Sequence, residues 1–127
     1  MANNYQGGAQ GGQHVRGNVY IMRQPPNNIK IGCTTRSPEI RRKEIKRERG
    51  INALRLCASF IADDMGEAEN KAHAAVEDLG LQRKIRVGGR AGDWFTNSNG
   101  VDIDDIMQAV ETAVNRSNRA HRAAQRR

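Results

Sequence analysis

The sequence predicts an α/β (α+β) domain: a small central antiparallel sheet of about three strands, flanked by helices. Three observations carry this expectation. Segments 19–22, 29–33 and 54–62 are short and apolar, and 29–33 alternates apolar with other residues, as strands do. Segments opening at Ser37, at Asp63 or Asp64, and near Asp102 begin with helix-capping residues and continue with apolar residues at helical spacing. The first two strand segments are separated only by Gln24-Pro25-Pro26-Asn27-Asn28, a turn sequence that makes them a hairpin. With 127 residues, 37% hydrophobic and only 4% aromatic, the chain suffices for one domain with a small aliphatic core.

The elements follow in order. Residues 1–16 are rich in Gly, Gln and Asn and are expected to be disordered. They lack the basic-then-apolar pattern of a signal peptide, and no apolar run reaches membrane-spanning length, so a cytoplasmic protein with no membrane association is expected. The domain proper is expected over 17–115, with a basic tail over 116–127. In the hairpin, Arg23 opposite Ile29 places Met22 opposite Lys30 and Tyr20 opposite Gly32. Val19, Ile21, Ile29, Ile31 and Cys33 then form one apolar face, and Tyr20, Met22, Lys30 and Gly32 the other. Ser37-Pro38-Glu39 starts a helix that Gly50 ends. In the third strand Leu54, Leu56, Ala58 and Phe60 are expected on one face. A second helix carries the stripe Met65, Ala68, Ala72, Ala75, Val76 and Leu79 and ends before Gly80. Residues 84–92 read as a basic, glycine-rich loop with a short strand at 85–87, and Trp94-Phe95 as a short apolar segment. A last helix runs from near Asp102 into the arginine tail. Cys33 and Cys57 have neither CxxC spacing nor a histidine cluster and read as two buried thiols.

The net charge of +7 is unevenly placed: residues 36–49 hold seven basic and three acidic side chains, while 63–78 is acidic. A second basic cluster spans 83–90, and no acid follows Glu111. Segregated basic segments suit a polyanion, because neutralising phosphates releases counterions. Arg42, Lys46, Arg83, Lys84, Arg86 and Arg90 are the expected backbone contacts; a surface tuned for solubility also accounts for them.

Four positions carry candidate chemistry. Tyr20 and Lys30 share one face of the hairpin, and Gly32 opposite Tyr20 leaves space beside the phenol for a substrate. Ordinary strand packing explains the same two residues. At about 100° per residue, Arg41 falls between Ile40 and Ile45 on the packed side of its helix, where it lines a cleft or pairs with Glu44. Glu69 lies at the rim of the second helix's apolar stripe with His73 at i+4. The pair suits a divalent cation or an ordered water, and equally a surface Glu–His contact.

Taken in order, these residues resemble the phage-type branch of the GIY-YIG nuclease superfamily. The resemblance rests on Gly17-Asn18-Val19-Tyr20-Ile21, Lys30-Ile31-Gly32, Thr34 and Thr35, Arg41, Glu69 with His73, and Asp93-Trp94-Phe95, across roughly residues 17–110. Lys30 stands where the second signature tyrosine is expected, as in some restriction-enzyme members. Cys33 follows the second motif where a basic residue is common, and Ile45 replaces a histidine often found one turn after the arginine.

The resemblance implies a metal-dependent endonuclease acting on DNA, with RNA a further candidate. Tyr20 would be the general base, although a free phenol with a pKa of about 10 serves poorly near neutrality. Lys30 would lower that value. Arg41 would bind the scissile phosphate. Glu69 would hold one Mg²⁺ or Mn²⁺, with His73 orienting the carboxylate or a metal-bound water. So short a chain would cut with low specificity or borrow targeting from a protein partner, in the cytoplasm of a cell or of a phage-infected host. Two other classes fit the sequence: a nucleic-acid-binding module of the same fold without catalysis, and a partner-binding protein whose basic tail docks an acidic surface.

Overall fold

The computed structural model of the chain describes residues 15–85 and 91–126. The expected disorder of residues 1–14 and the expected contacts of Arg86 and Arg90 fall outside the described residues. The elements are β1 (Gly17–Gln24), β2 (Asn28–Thr34), α1 (Pro38–Arg49), β3 (Arg55–Ala62), α2 (Met65–Asp78), β4 (Gln82–Ile85), β5 (Ala91–Thr96) and α3 (Ile103–Gln125). They build an α+β fold around one antiparallel sheet in the order β3-β1-β2-β5-β4. The sheet has five strands rather than about three. The added pair is β4, which begins at Gln82 instead of 85, and β5, which contains Trp94-Phe95. No helix among the described residues is long and apolar enough to cross a membrane.

The hairpin has the register its alternation implies: Arg23 opposes Ile29, Met22 opposes Lys30 and Tyr20 opposes Gly32. Both faces of the sheet are covered. Val19, Ile21, Ile29, Ile31 and Cys33 pack with α2 and α3 in the larger core. On the opposite face Tyr20 and Met22 pack with Ile45, Ile51, Leu54 and Trp94, under α1. Met22 is fully buried and Tyr20 is 1% exposed. Of the two α1 isoleucines, only Ile45 is buried; Ile40 faces solvent.

The third strand departs from the expected single face. Ile21 pairs with Ala58 and Met22 with Leu56, so Cys57 is an extra residue in a bulge. One inserted residue flips the alternation. Leu54 and Leu56 therefore pack beneath α1, whereas Ala58 and Phe60 pack on the α2 and α3 side. Cys57 is only half-buried, in contrast to the expected pair of buried thiols.

Local chemistry sets the helix ends. The Ser37 hydroxyl accepts from the Glu39 amide at the start of α1, and Asp64 (rather than Asp63) accepts from the Glu67 amide at the start of α2. Gly50 closes α1 at φ +63°, a left-handed conformation that favours glycine. At the other end of the chain, α3 continues through residue 117, with Ser117 and Asn118 buried. The Asn118 amide donates to the Ile61 carbonyl and accepts from the Asp63 amide at 3.1 and 2.9 Å, capping the end of edge strand β3. Val15 packs on the core and accepts from the Met65 amide, and Arg16 pairs with Asp63 at 2.9 Å.

β2 pairs with β5 at Asn28, Ile29 and Lys30. At the next position along β2, the Ile31 carbonyl accepts from His73 Nε2 of α2 at 2.8 Å. Helix α2 thus reaches the edge of β2 where β5 parts from it. Gly32 lies beside this split, and the space expected there is filled by the Tyr20 ring, since a Cβ on Gly32 would collide with the ring and hydroxyl. Gly32→Ala should therefore lower stability by about 1–3 kcal/mol, measured by urea unfolding. An unchanged midpoint would contradict the close packing of Tyr20 on β2.

Candidate active site at the split between β2 and β5

Tyr20 brings its phenol to the split from the α1 side of the sheet. Burial pushes the phenol well above its ordinary range. The Asp93 carboxylate adds to the rise, Arg41 opposes it through charge and a hydrogen bond, and Glu69 adds a smaller push upward. Groups from β5, α1 and α2 therefore act on one hydroxyl carried by β1.

Arg41 is mostly buried, with a side chain 15% exposed. Its guanidinium donates to Glu44 at 3.2 Å and lies 3.7 Å from Glu48, in addition to its bond with Tyr20. The pairing of Arg41 with Glu44 is present, and the guanidinium also bonds the Tyr20 phenol. Glu44 also accepts from Arg36 at 2.6 Å.

Lys30, expected to lower the phenol's pKa, is bound to a carboxylate. Its ammonium forms a buried ion pair with Asp93 at 2.5 Å and lies over the Trp94 ring at 5.4 Å. The cation that opposes the rise of the Tyr20 phenol is Arg41, while Lys30 is paired with Asp93, the acid that adds to the rise caused by burial. Asp93 was assigned no role from sequence; the signal was its place in Asp93-Trp94-Phe95. Removing one partner of a buried pair leaves an uncompensated charge. Asp93→Ala should therefore cost about 3–5 kcal/mol in urea unfolding, and Lys30→Met combined with Asp93→Leu should restore most of it. A single variant as stable as wild type would show that the pair contributes nothing.

Glu69 is fully buried, not at the rim of a stripe. Its Oε1 accepts from the Cys33 thiol at 3.0 Å. Its Oε2 has no hydrogen-bond partner, although His73 Nε2 lies 3.3 Å away. That nitrogen donates to the Ile31 carbonyl, so it cannot also be a metal ligand. The His73 ring is further held against Phe95, with centroids 5.3 Å apart.

Among the described residues, no three His, Cys, Asp or Glu side chains gather into a metal site. A closed cage such as structural zinc requires is therefore not offered by them. A single buried carboxylate with one unpaired oxygen does fit Mg²⁺ or Mn²⁺, which keep several waters and take one or two carboxylates together with substrate phosphate. Glu69 is the residue that would hold it.

The expected phosphate contacts divide into groups. Arg42 is held by Glu39 and donates to the Leu54 carbonyl at 3.0 Å, tying α1 to the residue that precedes β3. Arg83 pairs with Glu77 at 3.5 Å and lies over the Phe95 ring. Lys84 is exposed and Lys46 half-buried on α1.

The raised phenol has a consequence for stability. Its folded-state value lies above the unfolded value of about 10. Tyr20 therefore favours folding below about pH 10, and that contribution is lost as pH rises further. Urea unfolding from pH 8 to 11 should show a steeper alkaline loss for wild type than for Tyr20→Phe; parallel curves would contradict the burial of the phenol.

Among protein-family models, the T5orf172 domain matches residues 17–116. No curated protein and no solved structure matches the chain significantly.

Proposed function

The chain belongs to the T5orf172 domain family, which is related to the GIY-YIG nuclease fold, and on that premise we propose that it is a metal-dependent endonuclease hydrolysing phosphodiester bonds of DNA. The observation that carries the proposal is the Tyr20 phenol at the split between β2 and β5, bonded to Arg41 and within electrostatic reach of Asp93 and Glu69. These groups come from four different elements and match what the reaction needs.

Hydrolysis needs a deprotonated water, relief of charge on the phosphorane and a stabilised leaving oxygen. Tyr20 acts as the phenolate: its own proton passes to solvent as the cation and the phosphate bind, and Oη then accepts the proton of the attacking water. Arg41 holds the phosphate with its planar donors and, through its bond to Oη, favours the phenolate over the phenol. Glu44 and Glu48 fix the guanidinium so that it does not reorganise as charge develops. A divalent cation held by Glu69 would supply positive charge to the leaving oxygen and offset the smaller upward push that this carboxylate gives the phenol. Lys30 and Asp93 brace β5 against β2 beneath the site. The basic residues of α1, Lys84 and the α3 arginines suit the sequence-independent backbone.

Burial of the phenol favours a second reading, a DNA-binding module that does not cut. The two readings separate in one experiment. Supercoiled plasmid is incubated with the protein in Mg²⁺, Mn²⁺ or EDTA, and binding to a short duplex is measured across a salt series. The endonuclease reading expects nicking that EDTA abolishes. Salt-sensitive binding with no nicking under either metal would select the binding module instead.

A further inference from the structure

We infer that Cys33 is a positioning residue for Glu69: its thiol holds Oε1 so that Oε2 is presented to a divalent cation. The inference rests on the proposed nuclease reading and adds a residue to which that reading gives no role. Cys33 is 4% exposed and Glu69 fully buried, and Sγ lies 3.0 Å from Oε1. A thiol is a weak donor, but a carboxylate acceptor strengthens the bond, and burial removes competing water.

The surroundings explain why a donor matters at this position. Glu69 Oε2 is buried and unpartnered, an arrangement that calls for an explanation in a folded protein. The nearest polar hydrogen, on His73 Nε2, goes to the Ile31 carbonyl. The hydrogen bond from Cys33 therefore sets which carboxylate oxygen is held and which is left over. Cys33 also follows Gly32, over which the Tyr20 ring lies, so one dipeptide of β2 seats the phenol and orients the carboxylate. Partners that orient a ligand without touching the metal commonly contribute 10–100-fold in affinity or activity.

Serine and valine separate this role from simple packing. Serine keeps a donor and reduces apolar volume; valine keeps apolar volume and removes the donor. Mn²⁺ binding to the full chain is measured by calorimetry without DNA, beside the Mn²⁺ concentration giving half-maximal plasmid nicking and the melting temperature. Cys33→Val should weaken Mn²⁺ binding by about 10-fold or more and raise the half-maximal Mn²⁺ by a similar factor, and Cys33→Ser should recover most of both. Cys33→Ala replaces valine if the valine variant does not fold. Wild-type Mn²⁺ affinity in the valine or alanine variant would overturn the inference, as would serine binding no better than valine. A wild type that neither binds Mn²⁺ nor cuts overturns the nuclease reading, and this inference with it. A wild type that does both while the variants match it overturns the role of Cys33 alone.

Discussion

Tyr20→Phe should leave the protein folded and reduce DNA nicking by about 10²–10⁴-fold, the usual contribution of a positioned general base. The ring fills the core beneath α1 and lies across Gly32, and phenylalanine keeps that ring. Only the hydroxyl and its bond with Arg41 are removed, and Arg41 retains Glu44 and Glu48. A stability change within about 1.5 kcal/mol is expected for one such bond. The comparison of nicking rate with unfolding midpoint separates the two effects. A variant with unchanged rate would remove Tyr20 from the reaction, whatever its stability.

The second large effect is expected at Glu69. Glu69→Gln keeps the shape and an oxygen for the Cys33 thiol but removes the buried charge. The side chain is fully buried with one oxygen unpartnered, so neutralising it should not destabilise the fold. A metal that stabilises a leaving oxygen by several kcal/mol accounts for at least about 10²-fold in rate, at about 1.4 kcal/mol per tenfold. Glu69→Gln should therefore lose nicking by that factor and lose Mn²⁺ binding, with a melting temperature equal to or above that of wild type. Retained Mn²⁺ binding would place the cation elsewhere.

Much of the arrangement was legible in the sequence because it depends on local alternation. The pairing of Tyr20 with Gly32 and of Met22 with Lys30 follows from period-2 patterning on either side of a short turn. Helix caps at Ser37 and Asp64 follow from residue type alone. What was not legible depends on contacts between distant segments. The bulge at Cys57 leaves an ordinary-looking alternating strand, so its change of face cannot be read locally. β4 is short, charged and mostly exposed, and such edge strands lack an apolar pattern. Lys30 looked like a neighbour of Tyr20, and it is, but its partner Asp93 lies 63 residues away and neutralises it. The burial of Glu69 against Cys33 of β2 is a contact between segments 36 residues apart, invisible from the helix that carries the residue.

The account makes the split between β2 and β5 a single phosphodiesterase site. The most direct test is a time course of supercoiled plasmid nicking in Mn²⁺ by wild type, Tyr20→Phe and Glu69→Gln, purified in parallel and checked for folding. Nicking by wild type alone is the predicted result; equal nicking by all three preparations would contradict the account.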